Sequence, residues 1–157
     1  MRRSIMPSSS LPSSHAYLLE QPNFAHLATV RPDGAPQSSV MWFEWDGERA
    51  RFTHTTARQK FQNFAHEPRV SFSVADRENP YRFVEVRGEV ESIEDDGDGA
   101  AFYRSLQDRY GMSYPVTDAD VRVIVTIRPT GFVAVDGGMT EAERSSSEQS
   151  STVRSGD

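Results

Sequence analysis

The sequence predicts a mainly β fold, a small antiparallel barrel of about six strands with short helices at its margins. Three observations predict it. The first three extended runs are joined by the turn signals Pro32-Asp33-Gly34 and Asp46-Gly47, with no helix between them. Later runs alternate apolar and polar residues with the period of a half-buried strand. Helical spacing is confined to short stretches. A doubly wound parallel sheet would need a crossover after each strand, and the first three have none.

In chain order, Met1–Pro12 is rich in Ser and Pro and is expected to lack fixed structure. The folded domain is placed at residues 13–138. It starts with a Ser cap near Ser13 and a short helix over His15–Glu20, ended by Pro22. Phe24–Arg31 is a strand, turned back at Gly34. Ser38–Trp45 runs extended with apolar residues toward both faces, the pattern of a strand buried on both sides. Asp46-Gly47 turns it into Arg49–His54. The stretch Phe52–Asn63 reads as a strand end, a tight turn and a helix start, with Thr56 as N-cap and Gln59 closing a capping box. Ala57, Phe61, Phe64 and Ala65 share the face expected to meet the core, and the helix should stop before Pro68.

Val70–Val74 alternates cleanly. Phe83–Ile93 sets Val84, Val86, Gly88 and Val90 against Glu85, Arg87, Glu89 and Glu91, and Gly88 marks a bulge or bend. After the acidic link Asp95–Gly99, Phe102, Leu106 and Tyr110 recur at helical spacing until Gly111. Val121, Val123, Val125 and Ile127 build the last long strand, bent at Pro129-Thr130-Gly131. Residues 139–157 are expected to form a disordered tail.

Composition excludes several function classes. Among 157 residues there is no Cys, which removes disulfide scaffolds, thiol nucleophiles and Cys-based metal sites. The formal net charge of −6 repels nucleic acid and anionic membranes, so a local basic cluster stands out. No apolar run is long enough to span a bilayer, and nothing near Met1 resembles a signal-peptide core, so a cytoplasmic protein is the default expectation. His15, His26, His54 and His66 show no metal-ligand spacing, and neither a nucleophile elbow nor a Gly-rich phosphate loop occurs. An enzyme built from these residues would rely on a bound cofactor.

Two stretches suit a planar, phosphate-bearing cofactor. Arg58 and Lys60 stand at a helix start, where free N–H groups and hydroxyls already favour an anion. The other reading is a solvated face with both side chains snorkelling beside an apolar stripe. Gln37, Ser38, Ser39 and Val40, leading to Met41 and Trp42, would offer hydrogen-bonding groups to a heteroaromatic ring, or form an ordinary barrel strand.

The arrangement as a whole resembles the pyridoxamine 5′-phosphate oxidase-like split-barrel family. The resemblance rests on Leu27–Gln37, on Thr55-x-x-Arg58-x-Lys60-x-x-Asn63 followed by Glu67–Ser71, and on Phe83–Val90, all in matching order between Tyr17 and Ala134. It implies a split β-barrel and a homodimer, with flavin mononucleotide or a deazaflavin bound between subunits. The branch most resembled uses the deazaflavin coenzyme F420 to reduce small unsaturated or quinone-like substrates by hydride transfer. Carried across, Arg58 and Lys60 hold the cofactor phosphate, and Thr53, Thr55 and Asn63 support it. Gln37, Ser38, Ser39 and Val40 line the ring, and Trp42 and Tyr81 border the substrate. Arg31 and Arg51 are the candidates for an acidic cofactor tail. The full phosphate- and substrate-binding set of true pyridoxamine-phosphate oxidases is not present, which argues against vitamin B6 synthesis. Alternatives are a flavin mononucleotide-dependent oxidoreductase on the same fold, a flavin-binding protein without turnover, and a barrel that stacks single-stranded nucleic acid.

Overall fold

One antiparallel sheet carries the fold, and a computed structural model describes it for residues 4–137. Its strands are β1 (Ser4–Ser8), β2 (Ala25–Val30), β3 (Pro36–Met41), β4 (Phe43–Trp45), β5 (Ala50–Thr55), β6 (Arg69–Ala75), β7 (Phe83–Asp95) and β8 (Arg122–Asp136). The helices are α1 (Ala16–Glu20), α2 (Gln59–His66) and α3 (Ala101–Arg109), and a 3-10 turn at Ala119–Val121 leads into β8. The strand order is β3-β2-β6-β7-β8-β5-β4, with β1 paired to β8. β3 and β4 are separated only by Trp42, yet they stand at opposite ends of that order. The sheet therefore curls until its two ends meet at Trp42 and stay unpaired there, a split β-barrel.

The interior follows the pleat. Phe43, Phe52 and Phe72 form an aromatic centre with ring centroids 5.3–5.8 Å apart, surrounded by Leu18, Leu27, Val84, Val86 and Ile127. Each such side chain contributes roughly 1.5–3 kcal/mol on burial. Gly88 is required by close approach: a Cβ there would lie 2.6 Å from the Arg128 carbonyl oxygen and 2.8 Å from Ile127 Cγ2. The expected bulge is present, as a register shift between Arg87 and Gly88. Gly34, at φ +85°, turns the β2–β3 hairpin with its N–H on the Arg31 carbonyl.

Three expectations are corrected. Met1–Pro12 was expected to lack structure, but Ser4–Ser8 pair with β8 from Ser4↔Asp136 to Ser8↔Phe132. The physical reason is the length of β8: β5 covers only Arg122–Ile127, and β1 pairs with Phe132–Asp136 farther along that edge. Ser38–Trp45 is not one strand buried on both faces. β3 is a sheet edge whose Ser38 and Val40 are exposed, and the break at Trp42 hands the chain to the opposite edge. Eight strands replace six for the same two reasons. The tail at residues 139–157 lies outside the described residues. Among those described, no helix is long and apolar enough to cross a membrane.

Candidate functional site

The cap predicted at Thr56 does not form. The Thr56 N–H donates to the Val121 carbonyl at 3.0 Å, tying the turn to the start of β8 and delaying the helix. Arg58 becomes the N-cap residue in extended conformation, with no side-chain cap bond. Gln59 instead donates its amide to Asn63 Oδ1 at 3.1 Å. The buried face of α2 matches the predicted one only in part, at Phe64. Lys60, Asn63 and Phe64 point inward, whereas Ala57 and Ala65 are exposed and Phe61 is half-buried. The predicted apolar stripe is weak, and the polar pair meets the mouth of the barrel instead.

A cleft of about 190 Å3 opens beside this turn, where the two sheet ends meet. Val40, Met41 and Trp42 form one wall, and Thr53, His54, Thr55, Arg58 and Arg122 form the other. On β5, Phe52 and His54 face the interior, where the His54 ring meets Phe64 edge-on at 6.1 Å. Thr53 and Thr55 therefore present their side chains to the opposite face, where Arg122 stands across from Thr55 in the β5–β8 register. Arg122 donates to Asp118 through Nε and Nη2, both at 2.9 Å, and to Thr53 Oγ1 through Nη1 at 3.2 Å.

Three groups near the cleft are electrostatically unusual. Lys60 is 7% exposed, and among the described residues its ammonium has only Met41 Sδ within reach, at 3.2 Å. Burial, then the neighbouring Arg58, lowers its pKa. His54 is buried with no partner for Nε2 among the described residues. Burial, with Lys60, Arg58 and Arg122 nearby, holds its pKa down to about 4, so the ring is neutral at pH 7. Ser39 Oγ is likewise buried and unpartnered.

The sequence-predicted residues separate into two groups. Val40, Trp42, Thr53, Thr55 and Arg58 line the cleft together, and Lys60 reaches its edge through Met41. Asn63 and Gln37 form a brace beneath it: Asn63 Nδ2 donates to Gln37 Oε1 and Thr29 Oγ1, both at 2.9 Å, fastening α2 to the β2–β3 hairpin. Its side chain is fully engaged by protein. Ser38 and Ser39 flank the cleft on β3 without lining it. Tyr81 lies in the β6–β7 loop, half exposed, and the chain does not bring it to the cleft. Arg31 pairs with Asp33 at 3.8 Å at a hairpin tip, and Arg51 pairs with Glu44 beneath the Phe102 ring. Neither arginine forms a path from the cleft. His54 and Arg122 went unassigned in the sequence, and Met41 entered only as a residue at the end of the ring-facing strand. The alternation places Arg122 on a polar face, but only the β5–β8 register puts it beside Thr53.

Trp42 anchors the apolar wall. Its ring stacks on Tyr110 at 5.2 Å and 10°, and on Tyr114 at 6.3 Å. The Tyr110 hydroxyl donates to the Asn23 carbonyl at 2.6 Å and accepts the Phe43 N–H at 3.2 Å, which pins the chain where the sheet splits. No group of three or more metal-ligating side chains occurs among the described residues.

A split barrel with a cleft walled by Trp42 and two apolar neighbours on one side and by cations and hydroxyls on the other defines the class. The chain belongs to the pyridoxamine 5′-phosphate oxidase family, whose sequence profile matches residues 11–137. A solved structure named F420 Reductase shares 53% identity, covering 78% of this chain and 98% of that one, at a TM-score of 0.75. A conserved hypothetical protein from Mycobacterium tuberculosis shares 25% identity over 85% of this chain and 94% of its own, at a TM-score of 0.62. General Stress Protein 26 from Bacillus anthracis, at 18% identity, 74% and 87% coverage and a TM-score of 0.57, shares the fold alone. No curated protein matches the chain.

Proposed function

We propose that this protein is an oxidoreductase that uses the reduced deazaflavin coenzyme F420 as hydride donor for a small unsaturated or quinone-like substrate. The observation that carries the reading is the 53% identity to an F420 reductase across nearly all of that protein's length. The donor set of the cleft fits a phosphate: an exposed Arg58 at an open helix N-terminus, Lys60 behind it, and two threonine hydroxyls. When bound, the deazaflavin supplies the hydride chemistry. The protein's own residues position the partners. Arg58 and Lys60 hold the phosphate, Thr53 and Thr55 donate to it, and Trp42, fixed by Tyr110, gives a flat wall for a planar ring. Orientation of this kind lowers a barrier by several kcal/mol, about 7–11 in the best intramolecular cases. His54 is neutral and turned inward, and among the described residues no acidic side chain lines the cleft, so the proton is assigned to solvent or to the substrate itself.

The cleft is open along the exposed edge of β3, and the reading includes a homodimer in which a second subunit completes the substrate side. The experiment gives the purified chain reduced F420 and a panel of enones and quinones, and follows coenzyme oxidation. Turnover supports the proposal. Absence of turnover, with a tightly held flavin mononucleotide released on denaturation, replaces it with the flavin-dependent reading.

A further inference from the structure

Arg122 is the most firmly held cation of the cleft. Asp118 grips two of its nitrogens in a bidentate pair, and the Tyr103 ring lies 3.7 Å from its Cζ. The side chain is 13% exposed. Three elements thus converge on one guanidinium: β8 carries it, the segment before the 3-10 turn neutralises it, and α3 covers it. Because Asp118 offsets its charge, Arg122 adds little to the attraction of an anion. Its remaining polar contact is directional, from Nη1 to Thr53 Oγ1 at 3.2 Å.

A guanidinium only donates, so Thr53 Oγ1 is the acceptor in that bond. One hydroxyl lone pair is filled, and the Thr53 proton is left to point elsewhere. On that face of β5, its surroundings are the cleft and the Arg58 turn. We infer that Arg122 is a positioning residue: held by Asp118 and Tyr103, it fixes the Thr53 hydroxyl as a hydrogen-bond donor toward an anionic oxygen in the cleft. The site thereby selects a phosphate-bearing ligand over the same ligand without its phosphate. The selectivity follows from strength, since hydrogen bonds to an ionised acceptor are roughly twice as strong as neutral ones. The inference rests on the reading that this cleft takes a phosphate-bearing cofactor.

The test is a binding cycle on the full chain, with coenzyme F420 and flavin mononucleotide as probes, each beside its phosphate-free counterpart. Thr53→Val, which keeps the β-branched shape of the strand residue, should weaken the phosphate-bearing probe about tenfold and leave the phosphate-free one unchanged. Thr53→Ser should restore the affinity. Arg122→Lys keeps the charge but loses the fork, and should weaken the same probe by roughly three- to tenfold. The double variant should bind no more weakly than Thr53→Val alone, because both changes remove one interaction. Additive losses, or equal losses for the phosphate-free probes, overturn the inference and leave the cofactor reading standing. Failure of the unmodified protein to bind either phosphate-bearing probe takes down both.

Discussion

The first turns of α2 and α3 solve the same problem in opposite ways. Each helix begins with backbone N–H groups that have no partner inside the helix. At α3 the Asp96 carboxylate closes the end, accepting the Phe102 N–H at 2.8 Å and the Tyr103 N–H at 2.9 Å. At α2 no side chain among the described residues closes it, and Arg58 and Lys60 add positive charge to a terminus that is already positive. The α3 end is complete within the chain and serves to hold Tyr103 and Phe102 over β5 and β8. The α2 end is left open by the described residues, as the proposed anion site requires. Capping chemistry thus distinguishes the two helix starts more clearly than hydrophobic periodicity does.

The contrast can be broken at its strongest point first. Replacing Arg58 and Lys60 together by Ala should cut cofactor affinity by at least about 100-fold while near-UV circular dichroism stays native. Unchanged affinity would remove the α2 terminus from the binding site.

The next largest effect is acid sensitivity beneath α2. His54 has a native pKa of about 4 against an ordinary value of 6.5. Above pH of about 6.5 both folded and unfolded states carry a neutral ring, and stability is full. As pH falls, the unfolded state takes the proton first, so stability declines until about pH 4, by about 3 kcal/mol in total. Urea titrations of His54→Gln should show a flatter profile across that window. A slope equal to that of the unmodified protein would show that His54 is not the titrating group.

Asn63→Leu should cost about 2 kcal/mol of stability, because Thr29 and Gln37 lose a buried donor. Denaturant midpoints measure it, and a neutral result would mean that the brace contributes nothing. Asp96→Ala should cost about 1 kcal/mol and leave cofactor affinity untouched. A change in affinity there would mean that α3 is part of the binding machinery rather than its support. Thr56→Ala, at the cap that sequence predicts, should fall within about 0.5 kcal/mol of no effect. A loss as large as that of Asp96→Ala would show that the Thr56 hydroxyl caps α2 in solution.

Much of the fold was legible because its signals are local. The turns at Gly34 and Gly47 depend on positive φ, and the alternation of β6, β7 and β8 follows the two-residue pleat. The bulge at Gly88 left its mark in the residue itself. The candidate site was only partly legible. Arg58 was singled out by its place at a helix start, and Thr53, Thr55 and Trp42 by family resemblance; the fold brings all four to one cleft. Asn63 was assigned to the cofactor, but its side chain is held by Gln59, Gln37 and Thr29. Tyr81 was assigned to the substrate side, but its loop lies elsewhere on the chain.

Periodicity and turn chemistry decided which segments are strands, where hairpins fall and where α3 stops, since each depends on residues a few positions apart. Tertiary structure decided how the ends of the sheet meet. Trp42, Arg58 and Arg122 share a cleft because the chain breaks between β3 and β4 and because β5 pairs with β8 in one register. Thr53 and Arg122 are 69 residues apart. No local pattern encodes that contact, because it follows from which strand edges remain free once every other strand is paired.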